Sequence, residues 1–319
     1  MEYRNMGRTG LKLSEIALGG WLTFGGRIED DAAHACLDAA VENGVNFIDL
    51  ADIYARGNAE RVFGKWLKSK NRSDFVISSK VFWPMSDNIN DKGLSRKHLV
   101  ESVEGSLRRL GTDYLDLYFC HRYDDETPLE EVVRAMSDLV QQGKILYWGT
   151  SVWESEQIAG AVDAAEHWLG YQPFVEQPRY NMLDRHIEES IMPVCAAKGL
   201  GLTVWSPLAQ GVLTTKYLNG IPDGARATYS EWIKQDLTDE NIERVKKLNA
   251  IAVDLNLTMP QLALAWILRR PEITSVITGA SRPEQVEDNV RASGVKLNED
   301  VLTEIERILS AHAPSTPAT

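Results

Sequence analysis

Short apolar runs alternate along this chain with longer stretches in which apolar residues return every three or four positions. The runs lie at residues 15–20, 44–50, 75–80, 114–119, 145–150, 174–176, 202–205 and 275–277, and each reads as a buried strand. Helical spacing follows at 32–42, 59–68, 96–110, 128–142, 154–169, 187–198, near 242–254, at 260–269 and at 283–292, with a last stretch near 301–310. Asn43-Gly44 and Gly111 are helix stops. Ahead of the first strand, residues 3–14 predict a hairpin turned at Gly7-Arg8-Thr9-Gly10, and residues 311–319 predict a frayed tail.

Strand and helix, or strand and long loop, thus repeat eight times with no linker-like shift in composition. That order predicts an α/β fold: one (β/α)8 barrel over residues 1–319, with an N-terminal hairpin and a long loop after the seventh strand. A doubly wound sheet is the competing architecture. It is weakened because no G-x-G-x-x-G follows a strand, so a dinucleotide could not sit in the Rossmann manner.

Composition narrows the function. A net charge of −12 argues against broad nucleic-acid binding, which needs a basic face. Cys36, Cys120 and Cys195 are far apart and lack metal-ligand spacing, so reduced thiols in a reducing compartment are expected. Residues 1–5 do not open a signal peptide, the barrel pattern begins almost at once, and no apolar run approaches the roughly 20 residues of a membrane span. A cytoplasmic protein without membrane insertion is the expectation.

In a barrel the carboxyl ends of all strands converge, and the polar residues at those ends include Asp49, Tyr54, Lys80 and His121. A tyrosine hydroxyl is a weak acid, with an ordinary pKa of about 10. An adjacent ammonium favours its phenolate, a carboxylate can hold that ammonium, and an imidazole can orient a reacting oxygen. Together the four make a proton donor for a carbonyl being reduced. Singly, each has a plainer reading as a turn residue, a packing aromatic, an ion-pair partner or a rim histidine.

The chain resembles the aldo-keto reductases, in particular the branch holding potassium-channel β subunits and related bacterial reductases. The resemblance runs from Tyr3 to about Leu309 and rests on GVNFIDLADIY at 44–54, GTSVW at 149–153, WSPLAQG at 205–211 and GASRPEQ at 279–285. It implies a barrel that binds NADPH without a Rossmann fold. By motif, Tyr54 becomes the general acid, Lys80 lowers its pKa, Asp49 pairs with Lys80, and His121 orients the carbonyl. Channel β subunits commonly carry asparagine at the position of His121, so this chain departs toward the reductases.

For the cofactor, the resemblance implies that Ser151 and Gln177 hold the nicotinamide amide and that Trp205 stacks on the ring. Gly20, Trp21, Arg27 and Asp49 border the same end. The pyrophosphate would lie along Ser206, Pro207, Leu208, Ala209, Gln210 and Gly211, with charge from Lys216 and Arg226. Gly279, Ser281, Arg282, Gln285, Asp288 and Asn289 would hold the adenosine end. Ser281 and Arg282 suit a 2′-phosphate, which favours NADPH over NADH. Gly20, Val152 and Asp288 depart from the commoner family residues.

Trp21, Phe82, Trp83, Tyr123 and Trp153 could line an aromatic substrate pocket or simply pack loops. Arg122 could meet an anionic group on a substrate or be paired at the rim. An NADPH-dependent reductase of aldehydes and ketones, including sugar-derived ones, is the first expectation. A regulatory channel β subunit that binds NADPH, with vestigial catalysis, is the second, which leaves a channel partner and a tetramer open. A third keeps the barrel and makes Lys80 a Schiff-base lysine, chemistry that needs neither Tyr54 nor residues 279–282.

Overall fold

A computed structural model describes residues 1–310; the tail expected to fray, 311–319, lies outside the described residues. In chain order the elements are β1 Tyr3–Asn5, β2 Lys12–Ser14, β3 Ile16–Gly19, α1 Asp30–Glu42, β4 Phe47–Asp49, α2 Asn58–Leu67, β5 Val76–Val81 and α3 Arg96–Leu110. Then come β6 Leu115–Cys120, α4 Leu129–Gln141, β7 Ile145–Thr150, α5 Ser155–His167, β8 Val175–Glu176, α6 Ile191–Lys198 and β9 Gly201–Val204. The chain finishes with α7 Asp239–Asp254, α8 Met259–Leu268, β10 Ile273–Thr278, α9 Pro283–Val290 and α10 Glu299–Ser310.

Every residue of β3, β4, β5, β6 and β10 is buried, because these strands face helices on one side and each other on the other. They close with β7, β8 and β9 into a parallel barrel of order β10-β3-β4-β5-β6-β7-β8-β9, the (β/α)8 architecture that the alternating pattern predicts. Two apolar cores result. Inside the barrel Met6, Leu13, Ala17, Phe47, Val76, Leu117, Phe119, Val175 and Ile277 interdigitate, while a larger cluster fills the space between strands and helices.

β1 and β2 form the expected hairpin, pairing Tyr3 with Ser14 and Asn5 with Lys12. It plugs the amino-terminal end of the barrel with Met6 and Leu13, both fully buried. Gly7 has φ +53°, and any Cβ there would run into the carbonyl oxygen of Gly199. Arg4 ties the hairpin down through Glu15 at 2.7 Å and the carbonyls of Leu268 and Ile273.

Some helix starts differ from the periodic pattern. The helix expected from 187 begins only at Ile191, after a separate 3-10 turn at His186–Glu188. α7 begins earlier than expected, at Asp239, because the Thr238 hydroxyl caps the Asn241 N–H at 3.2 Å. Among the described residues no single helix is long and apolar enough to cross a membrane; α7 and α8 reach that measure only as a pair bent by 89°.

Candidate active site

Register brings the chemistry to one rim. β4 ends at Asp49, which pairs with Ser78 of β5, and Lys80 follows two residues on, pointing to the same side of its strand. The Lys80 ammonium donates to Asp49 Oδ2 at 2.7 Å, to the Leu50 carbonyl at 2.7 Å and to Tyr54 Oη at 3.2 Å. Asp49 Oδ1 accepts from the Ser78 hydroxyl at 2.8 Å and from Gln177 Nε2 at 3.0 Å. All three donors of Lys80 are therefore engaged, and Asp49 is held from three sides.

Tyr54 comes back over this pair through a tight turn. Ala55 (φ +48°), Arg56 (φ +51°) and Gly57 (φ +81°) all sit in the left-handed region before α2 begins. Two non-glycine residues there cost about 1–2 kcal/mol each, strain of the kind that the surrounding packing must hold in place. His121 leaves β6 with its N–H bound to the Val81 carbonyl, and its ring centroid lies 6.0 Å from that of Tyr54 at a 75° interplanar angle. The four residues selected from strand ends are thus neighbours.

The electrostatics differ from the expectation in one respect. Burial, reinforced by the Asp49 carboxylate, pushes the Tyr54 phenol well above its ordinary value. The Lys80 ammonium 3.2 Å away, paired with Asp49 and itself pulled below its usual value by burial, does not outweigh that rise. Burial, with the cations of Lys80 and Arg122, also drives the His121 imidazole well below its ordinary value. Near neutrality the site holds a neutral phenol beside a neutral imidazole, above a buried ion pair.

Aromatic residues frame the mouth. Trp83 stands 37% exposed, with its ring 6.3 Å from His121 and 5.1 Å from Phe82. Tyr123 is half-buried and packs edge-on at 4.8 Å against Trp153, which is fully buried, so Trp153 backs the wall rather than lining it. Trp21 meets Trp205 edge-on at 6.5 Å. Gly20 is packed so closely that a Cβ would meet Leu50 at 2.7 Å and Phe24 at 2.9 Å. Arg27 lays its guanidinium 3.0 Å from the centre of the Tyr229 ring, which joins the loop after β3 to the loop after β9.

That second loop is contorted. Ser206 (φ +55°), Ala209 (φ +45°), Gln210 (φ +58°) and Gly211 (φ +102°) are all left-handed, and Pro207 and Leu208 lie between them. Ser206 Oγ and Gln210 Oε1 are buried with no hydrogen-bond partner among the described residues. Farther along, the charges of Arg226 and Arg282 add to burial in pulling the Lys216 ammonium down. Ser281 donates through its N–H, at 2.8 Å, and its hydroxyl, at 3.2 Å, to Gln285 Oε1; a Cβ at Gly279 would meet open space. Asp288 instead binds Thr258 and Gln261 at the start of α8, and Asn289 is buried beside it.

The sequence model of the aldo/keto reductase family matches residues 15–310. The chain belongs to the aldo/keto reductase family. It is 44% identical over 320 residues to a protein of Arabidopsis thaliana named "Probable voltage-gated potassium channel subunit beta", covering 98% of this chain and 97% of that one. It is 43% identical over 325 residues to a protein of the same name from Oryza sativa subsp. japonica, covering 99% of each. Family membership implies an oxidoreductase, and members of the family generally use NAD(P)H.

Within this aldo/keto reductase, three groups escaped the sequence reading. Ser78 hides inside an apolar strand, and only the register with Asp49 reveals it. Asp52 is fully buried, with its Oδ2 accepting from Ser102 at 2.7 Å, and burial pushes it up to about 7. Glu176 is fully buried too; it accepts from the Thr150 hydroxyl at 2.5 Å and the Val152 N–H at 2.7 Å, and burial pushes it up to about 7. Val152 is a β-branched residue at φ +57°, and Glu176 anchors it there. The Ser151 hydroxyl meanwhile donates to the Gln177 carbonyl at 2.9 Å. A carboxylate directly before Gln177 was the available signal for Glu176.

Proposed function

We propose that this chain is an NADPH-dependent reductase of aldehydes and ketones, with Tyr54 as proton donor. The observation that carries the reading is the continuous Asp49–Lys80–Tyr54 contact chain, at 2.7 and 3.2 Å, with His121 facing the phenol. Tyr54 holds its proton at neutral pH because burial disfavours the phenolate. It releases that proton to a carbonyl oxygen as negative charge builds there, and the Lys80 ammonium at 3.2 Å stabilises the charge left on the phenol oxygen. Neutral His121 directs an N–H toward the same oxygen, and Asp49, fixed by Ser78 and Gln177, keeps Lys80 in place.

The residues present fit the cofactor. The charges of Arg226 and Arg282 both act on the Lys216 ammonium, an arrangement suited to phosphate. The unpartnered Ser206 Oγ and Gln210 Oε1 offer polar contacts along the strained loop. Ser151, Gln177, Trp205 and Trp21 stand near the strand ends where a nicotinamide would approach Tyr54. When bound, NADPH supplies the hydride that goes to the carbonyl carbon.

Tyr54→Phe should lower kcat for a good aldehyde by about 10²–10⁴-fold while leaving NADPH affinity, read from tryptophan fluorescence, within about threefold. Turnover close to wild type would refute the assignment of the acid. A second reading rests on the names of the relatives: the same barrel docks on a potassium channel as a β subunit. Co-purification of a channel protein with the tagged chain from its own cells should reveal that complex, and its absence from solubilised membranes would count against it.

A further inference from the structure

The substrate mouth contains a guanidinium that forms no close ion pair with a carboxylate among the described residues. Arg122 follows directly on His121, is half-buried, and donates to the carbonyl of His121. None of the ion pairs within 4.0 Å among the described residues includes it, whereas the other arginines buried this far mostly have one: Arg4, Arg72, Arg109 and Arg179 each meet an acid. Its surroundings are Trp83, whose ring centre lies 5.6 Å from the guanidinium carbon, and the electrostatically coupled Tyr54 and Glu176.

Glu176 is the one acid acting on it, and that carboxyl is already committed to Thr150 and the Val152 N–H beneath the rim. Burial pulls the Arg122 guanidinium down from its ordinary value, a sign that its charge is poorly solvated. A cation held that way gains most from a planar anion that takes two parallel hydrogen bonds. The phosphate-suited cations Lys216 and Arg282 follow β9 and β10, and β10 lies directly across the barrel ring from β6, which ends two residues before Arg122. Arg122 therefore stands on the other side of the mouth from those cations.

We propose that Arg122 selects carbonyl substrates bearing an anionic oxygen group, carboxylate or phosphate, a few bonds from the reacting carbon. The inference rests on the reductase reading and names the substrate class for that same site. The Arg122 fork grips the anion against the Trp83 face, and the carbonyl end then falls toward Tyr54 and His121.

The test pairs each anionic aldehyde with a neutral counterpart: 4-carboxybenzaldehyde against its methyl ester, and glyceraldehyde 3-phosphate against glyceraldehyde. Wild type should favour at least one anionic partner about tenfold or more in kcat/KM, and Arg122→Gln should reduce that ratio about tenfold or more, with Arg122→Lys retaining part of it. Using the ratio cancels any effect of the substitution on Tyr54. The pair that shows the preference distinguishes carboxylate from phosphate. Equal rates within both pairs in wild type, or an unchanged ratio in Arg122→Gln, would overturn the inference while leaving the reductase reading intact. If wild type reduces none of these compounds, the reductase reading fails, and titration of the NADP⁺-loaded protein with 4-carboxybenzyl alcohol and with inorganic phosphate still decides about Arg122. Binding of either that is lost in Arg122→Gln supports the anion site; no binding of either to wild type rejects it.

Discussion

At the scale of single residues the site works through burial more than through charge. The sequence suggests that Lys80 acidifies Tyr54, but burial, reinforced by the Asp49 carboxylate, outweighs the ammonium, and the phenol stays neutral. Glu176 extends the theme. Its carboxyl has an ordinary value of 4.5 and rises to about 7 because it is buried. A raised carboxyl favours the folded state below the unfolded value, and that contribution is lost as pH climbs from about 4.5 to about 7. Its share is on the order of 3 kcal/mol. Glu176→Gln should therefore lose less stability than wild type between about pH 5 and pH 7.5 in urea unfolding. Parallel losses in the two proteins would show that Glu176 does not titrate in this window. Asp52 rises in the same direction and stays in both proteins, so only the difference reports on Glu176.

At the scale of elements, strand packing is close enough to leave no room at particular glycines. Gly149 lies in β7 beside Val175 of β8, and a Cβ there would overlap both the Val175 side chain and its carbonyl oxygen, with Phe119 3.0 Å away on the barrel interior. Backbone cannot move aside cheaply inside a closed sheet. Gly149→Ala should cost about 3 kcal/mol, read as a lower urea midpoint at unchanged slope. A loss under about 1 kcal/mol would mean that β7 and β8 can part. The elements themselves were largely legible: α3 spans the residues that its pattern predicts, ending at Gly111 with φ +70°. α6 was not, because the apolar spacing from 187 onward runs through the 3-10 turn at His186–Glu188, where backbone geometry rather than hydrophobicity breaks the helix.

At the scale of the whole molecule, the proposed site lies on loops that the barrel holds at one end, while the hairpin seals the other. Arg27 and Tyr229 join two of those loops, and both loops carry residues proposed to meet the cofactor. An exposed cation–π contact contributes roughly 0.5–1 kcal/mol, so Tyr229→Ala should speed NADPH release by about two- to fivefold in stopped-flow fluorescence. An unchanged release rate would show that the loops part elsewhere.

Local patterns along the chain were enough to determine the barrel and, through the turn at Gly7-Arg8-Thr9-Gly10, its hairpin, and to single out four polar residues at or just beyond strand ends, because a buried strand, an amphipathic helix or a tight turn writes its signal locally. Tertiary structure alone decided the rest. Ser78, Asp52 and Glu176 matter through partners 29, 50 and 26 residues away, separations over which no local pattern extends. The charge state of Tyr54 likewise depends on how much water its neighbours exclude, and that follows only from the closed packing of the folded chain.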